Sequence, residues 1–114
     1  MKVERREQDG VAILALEGRL AGGEDGEVVR EAIRGLIEEK ATKVLMDLSG
    51  VPWMNSGGVG VLVQSYTSLH NAGAQVKFLS ASDRVRSILH ITRLLGVLET
   101  YASLEEALAS FRAS

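Results

Sequence analysis

Hydrophobic and polar residues follow two different periods along this chain, one typical of strands and one typical of helices. Val3 to Glu7 is an alternating charged segment, and Val11 to Leu16 is an apolar run. Asp9-Gly10 lies between them. Both central residues of a type I′ turn need a positive φ, so Asp-Gly at this place predicts a β-hairpin. Gly18 ends the second strand.

A helix is predicted from Glu24 to Lys40, after a flexible entry at 21–23. Acidic residues lie in its first turn and Lys40 lies at its end, which complements the helix dipole. The predicted apolar face recurs at helical spacing. It consists of Val29, Ala32, Ile33, Leu36 and Ile37.

The middle of the chain predicts a strand, a helix and another strand. Lys43 to Leu48 is almost continuously apolar, which is typical of a strand covered on both faces. A helix is expected from Gly57 to about Ala72, with Gly73 as its C-cap. Its apolar face is formed by Val59, Leu62, Val63, Tyr66 and Leu69. Val76 to Leu79 is the next strand.

The last third predicts two more helices around a short strand. Ser82 is expected to cap a helix, a break follows at Leu94-Leu95-Gly96, and a strand follows around Val97 to Tyr101. Ser103 to Glu106 forms a capping box that begins the terminal helix. The apolar positions of these helices are Val85, Ile88, Leu89 and Thr92 in the first, and Leu104, Ala107, Leu108 and Phe111 in the second.

The predicted order β-β-α-β-α-β-α-β-α defines a single α/β domain over residues 1–114. It predicts a mixed, mostly parallel sheet with an N-terminal antiparallel hairpin, because strands that alternate with helices form right-handed parallel crossovers. If each crossover steps to the adjacent strand, the crossover helices lie mainly on one face. The sequence does not fix that strand order. The apolar run at 44–48 then needs a cover on the second face, either the terminal helix or a partner.

Composition narrows the function classes. The chain has 114 residues, a net charge of −2 and no cysteine. Nucleic-acid binding is therefore disfavoured, and disulfide or cysteine–zinc chemistry is excluded. The charged N-terminus does not resemble a signal peptide, and no apolar run approaches the roughly 18 residues of a membrane helix. These features predict a cytoplasmic protein without direct membrane insertion.

The segment from Asp47 to Gly60 carries the strongest motif. It predicts a strand end, a tight loop and a helix that begins on Asn55-Ser56-Gly57-Gly58. This segment resembles the signature of the STAS family, the anti-sigma factor antagonist domains. Gly18-Arg19-Leu20 also resembles a family motif. So does the order of elements from Val85 to Phe111.

The resemblance implies a binding module and not an enzyme, with no cofactor and no metal. The implied function is that of an anti-sigma factor antagonist, which sequesters an anti-sigma factor of the GHKL serine kinase type. The oligomeric state stays open. The implied partner-binding residues are Ser49, Trp53, Asn55, Ser56, Gly57, Gly58 and Gly60.

The position that the family phosphorylates is altered in this chain. By resemblance, Gly57 takes the place of the phosphorylated serine, and a glycine has no hydroxyl to accept phosphate. Ser56, one residue earlier, is the remaining acceptor candidate. Alternatively the domain binds without a switch, or it belongs to an unswitched branch such as the small subunit of an ABC lipid-transport complex. A subunit of a stressosome-type complex is a further alternative. Simple N-capping also accounts for Asn55 and Ser56.

Other residues give weaker indications. Asp47 either faces a ligand beyond the strand end or accepts a local hydrogen bond from the loop. Trp53 is either an exposed anchor for a partner or a plug at the end of the core. The two histidines, His70 and His90, lie on different helices and are expected at surface or flanking positions. The glycines at 57–60 lack the spacing of a phosphate loop, so a small nucleotide-binding protein is only an alternative.

Overall fold

The computed structural model describes residues 1–80, 82–91 and 99–113, and within them it has five strands and four helices. The side chains of residues 88–91 also lie outside the description. The strands are β1 (Lys2–Gln8), β2 (Val11–Glu17), β3 (Lys43–Gly50), β4 (Gln75–Leu79) and β5 (Thr100–Tyr101). The helices are α1 (Glu24–Glu38), α2 (Ser56–Asn71), α3 (Asp83–Ile91) and α4 (Leu104–Arg112).

The five strands lie in the order β1-β2-β3-β4-β5, so each crossover steps to the adjacent strand. β1 and β2 are antiparallel, and all other neighbours are parallel. Asp9 and Gly10 form the two-residue turn between β1 and β2, with φ of 55° and 77°. The predicted hairpin and the predicted mixed sheet are confirmed.

The sheet separates two apolar cores. The larger core lies under α1, α2 and α3 and includes Val44, Met46 and Leu48 of β3. The smaller core lies under α4 and includes Leu45, the residue of β3 that points the other way, together with Phe111. The near-continuous apolar run of β3 is therefore buried on both faces, and the terminal helix is the cover of the second face.

A buried lysine lies inside the smaller core. Lys77 is 5% exposed, and its ammonium donates to Ser110 Oγ at 3.0 Å and lies 3.5 Å from the Glu99 carboxylate. The ammonium is also 4.8 Å from the centre of the Phe111 ring. A buried charge needs such partners, and two of them, Ser110 and Phe111, belong to α4.

A residue with left-handed backbone conformation follows the end of each of the two long helices, α1 and α2. The structure corrects the predicted end of α1, because the helix stops at Glu38 and Lys40 lies beyond it with φ of 59°. Lys40 N donates to Ile37 O and Ala41 N to Leu36 O, the two bonds of a Schellman motif. Lys40 is thus outside the last turn, where it was expected to complement the dipole. Gly73 takes the same place after α2, with φ of 92°.

Serine caps begin the last two helices, as predicted. Ser82 Oγ accepts a hydrogen bond from Val85 N at 3.2 Å, and Ser103 Oγ accepts one from Glu106 N at 3.2 Å. Val85 is buried. The predicted break at 94–96 and the predicted strand start at 97 lie outside the described residues, as do the side chains predicted to join Val85 on its apolar face.

An ion pair joins the edge strand to the first helix. Arg5 of β1 donates to the carboxylate of Glu39, just after α1. This hydrogen bond holds the pKa of Glu39 below its ordinary value and raises the pKa of Arg5. Both side chains are partly exposed, so water screens the pair.

Candidate functional site

The candidate site lies at the C-terminal edge of the sheet, where the segments after β2 and β3 run side by side. Leu20 N donates to Trp53 O at 3.0 Å, and Asn55 N donates to Leu20 O at 3.3 Å. Leu20 and Met54 form an isolated parallel bridge. Both are buried. These contacts hold the loop before α2 on a rigid base.

Asn55 caps α2, and the two residues that follow it are open to solvent. Its side-chain oxygen accepts from Gly58 N at 2.9 Å, while its carbonyl accepts from Val59 N. Ser56 occupies the first helical position, so the capping role expected for both residues belongs to Asn55. Asn55, Ser56 and Gly57 are exposed. The Ser56 hydroxyl therefore lies at an accessible, positively polarised helix end.

Two glycines at this helix start have close backbone neighbours. A Cβ on Gly57 would lie 2.9 Å from Gly22 N, and a Cβ on Gly58 would lie 2.9 Å from the carbonyl carbon of Leu20. Real Cβ atoms essentially never come within 3.0 Å of other heavy atoms. The segment after β2 therefore packs directly against the first turn of α2. Sequence reasoning missed this contact, because the two segments are more than thirty residues apart.

The segment at 21–23, expected to be flexible, is held by a side chain of α1. The Asp25 carboxylate accepts a hydrogen bond from Ala21 N at 3.2 Å. Gly22 is thereby kept beside Gly57. The start of α2 and the loop after β2 form one continuous surface.

Trp53 is half-buried, which lies between the two predicted alternatives, an exposed anchor for a partner and a residue that closes the end of the core. The guanidinium carbon of Arg19 lies 5.7 Å from the centre of its ring, a cation–π contact. Arg19 itself is exposed. An aromatic ring with an adjacent arginine is a common combination at binding hot spots. Arg19 was noticed as part of a motif but was not predicted as a site residue.

Asp47 makes the local hydrogen bond that was one of its two predicted roles. Its carboxylate accepts from Ser49 N at 2.9 Å. Ser49 is exposed and lies within β3, which continues to Gly50, two residues beyond the predicted end at Leu48. Among the predicted site residues, Ser49 thus belongs to the strand and the others to the loop and helix.

Other places in the described residues offer little chemistry. They contain no group of three or more His, Asp or Glu side chains that could hold a metal ion. A cleft of about 300 Å³ separates α1 from α2, and its one charged side chain, Arg30, pairs with Glu27 at 3.1 Å. His70 is exposed and stacks on Tyr66, whereas the His90 side chain lies outside the description. No described helix is long and apolar enough to cross a bilayer.

A model of the STAS domain matches residues 2–107, so this chain belongs to the STAS domain family. The predicted resemblance is confirmed. A protein of Thermotoga neapolitana, named as a candidate anti-sigma factor antagonist, is 33% identical over 66 residues. That match spans 58% of this chain and 58% of the relative.

Solved structures share the fold at lower identity. An anti-sigma factor antagonist from Mycobacterium paratuberculosis has a TM-score of 0.83 and 21% identity, over 97% of this chain and 93% of that chain. The murine anion transporter Slc26a9 has a TM-score of 0.79 and 17% identity, over 96% of this chain and 19% of the transporter. Such likenesses establish a fold that occurs both in small regulators and inside a transporter.

Proposed function

We propose that this protein is an anti-sigma factor antagonist that acts in the cytoplasm and binds an anti-sigma factor of the GHKL serine kinase type. The observation that carries the proposal is the exposed start of α2 at 55–57, held on a rigid base within a STAS domain. The docking surface comprises Ser49, Trp53, 55–57 and Gly60, with Arg19 beside them and the buried Gly58 beneath. The named relative and the shared fold support this choice over other binding modules.

The shape of this surface suits a protein partner. Trp53 offers a half-buried ring and Arg19 an adjacent cation. The segments that carry them are held by backbone hydrogen bonds, so the surface loses little conformational entropy on binding. An apolar anchor beside a fixed charge provides both affinity and orientation.

Phosphorylation at Gly57 is chemically impossible, because the residue has no hydroxyl. The adjoining Gly22 backbone also fills the space in which a side chain would begin. Ser56 is the remaining acceptor in this turn. A phosphate there would add a charge of about −1.5 to −2 at an exposed helix N-terminus, which favours anions. We propose that binding is not switched by phosphorylation at residue 57 and that any phosphorylation occurs at Ser56.

The proposal is tested with each GHKL-type anti-sigma factor encoded in the same genome. Calorimetry without ATP measures binding, and we expect one kinase to bind and Trp53→Ala to weaken it. Incubation with ATP followed by mass spectrometry maps phosphate. Ser56→Ala should abolish any phosphate, whereas Ser68→Ala, an exposed serine farther along α2, should not. Failure of every kinase to bind would overturn the proposed function.

The alternative of an ABC transport subunit defines the competing outcome. If the tagged chain instead copurifies with an ABC ATPase and permease, it is a transport subunit and the anti-sigma assignment is wrong. The same purification from cells also detects a stressosome-type particle by its size.

A further inference from the structure

The three glycines in the first two turns of α2 differ in what surrounds the place of the missing Cβ. At Gly57 and Gly58 an added Cβ would meet the backbone of Gly22 and Leu20. At Gly60 it would meet nothing within 4 Å. Internal packing therefore accounts for the first two glycines and gives no reason for the third.

Gly60 lowers the stability of the free protein. It is the fifth residue of α2 and is helical, so alanine could adopt the same backbone and would favour the helix more. The residue is half-buried and lies four positions after the exposed Ser56, on the same side of the helix. A destabilising glycine in the proposed docking surface thus has its explanation outside the free chain.

We propose that Gly60 is the point at which the partner approaches the bare backbone of α2. Glycine permits close approach of a ligand to a backbone. Gly60 offers only its Cα hydrogens, because the helix already uses its amide, so the contact there is van der Waals. The inference rests on the proposed function and makes Gly60 a determinant of partner specificity.

The inference is tested by enlarging Gly60 in two steps. Gly60→Ala and Gly60→Leu are compared with wild type by calorimetry, using the anti-sigma factor that the wild-type chain binds. We expect Gly60→Ala to raise the thermal midpoint of the free protein by about 4 °C. We also expect it to weaken binding at least tenfold and Gly60→Leu to weaken it further. Stability and affinity then move in opposite directions.

Gly35→Ala is the matched control. Gly35 is also helical, half-buried and without a neighbour within 4 Å of its Cβ position. It lies three residues before the end of α1 and outside the proposed docking surface. We expect the same rise in the thermal midpoint and an unchanged Kd.

Each outcome separates the inference from the proposed function. Unchanged affinity of both Gly60 variants, beside a binding wild type, overturns the inference and leaves the proposed function standing. Equal weakening by alanine and leucine also overturns it. These residues have similar helix propensities, so the effect would then come from a stiffer backbone and not from side-chain size. A wild type that binds no anti-sigma factor overturns the proposed function itself.

Discussion

Replacing Gly58 by alanine should destabilise this protein, although alanine is the better helix former. Within the helix alone, the change favours folding by about 1 kcal/mol. Against this, the new Cβ would lie 2.9 Å from the carbonyl carbon of Leu20 and nearer still to its oxygen. Leu20 is fully buried, so its backbone has little room to move.

The size of the effect follows from what Leu20 holds. Its carbonyl accepts from Asn55 N and its amide donates to Trp53 O, so displacement weakens hydrogen bonds worth about 1 kcal/mol each. Overpacking a tightly packed interior costs about 1–3 kcal/mol. After the gain in helix propensity is subtracted, we expect a net loss of about 2 kcal/mol, or a thermal midpoint about 8 °C lower.

Thermal and urea unfolding followed by circular dichroism measure this loss. Gly60→Ala is the internal comparison, since it makes the same chemical change two residues away in open space. We expect the two variants to shift the midpoint in opposite directions. A Gly58→Ala protein as stable as wild type would refute the reasoning, because the Leu20 backbone would then yield freely.

Three further changes test other contacts. Asn55→Ala removes the side-chain cap of α2 and should lower the free energy of unfolding by about 1 kcal/mol, measured in urea, whereas Asn55→Ser should retain most of it. Phe111→Ala removes a buried ring and the aromatic face beside Lys77, so a loss of about 3–5 kcal/mol is expected in the same assay, with Phe111→Leu losing less. The pKa of Glu39 is lowered in the folded state because of Arg5. The ion pair therefore stabilises the protein fully at pH values above the pKa that this carboxyl has in the unfolded chain. The stabilisation is lost as the pH falls through the folded-state pKa. Glu39→Gln should therefore reduce the thermal midpoint at neutral pH and leave it unchanged in strong acid; an equal reduction at both would contradict this.

Local signals in the sequence were enough to predict most of the elements. The turn at Asp9-Gly10 and the caps at Ser82 and Ser103 depend on neighbours within three residues, so their chemistry is visible in the sequence. The strand order could not be predicted from local signals, because it depends on which edge of the growing sheet each strand joins. Lys40 was misplaced because a left-handed residue ended α1 without the usual glycine.

The candidate site was predicted in part for the same reason. The cap at Asn55 and the hydrogen bond of Asp47 are local and were among the predicted alternatives. The requirement for glycine at Gly57 and Gly58 comes from the distant segment at 20–22, which no spacing rule reveals. The sequence does not show which of Gly57, Gly58 and Gly60 internal packing requires, and only their surroundings in the fold distinguish them.

Helix α4 follows all five strands in the sequence, which has a consequence for synthesis on the ribosome. Each strand joins the edge of those already made, so the sheet and its first core can form as the chain emerges. The opposite apolar face, which includes Ile13 and Leu45, stays uncovered until Phe111 has left the exit tunnel. Nascent chains therefore expose an apolar sheet face that favours aggregation until α4 docks.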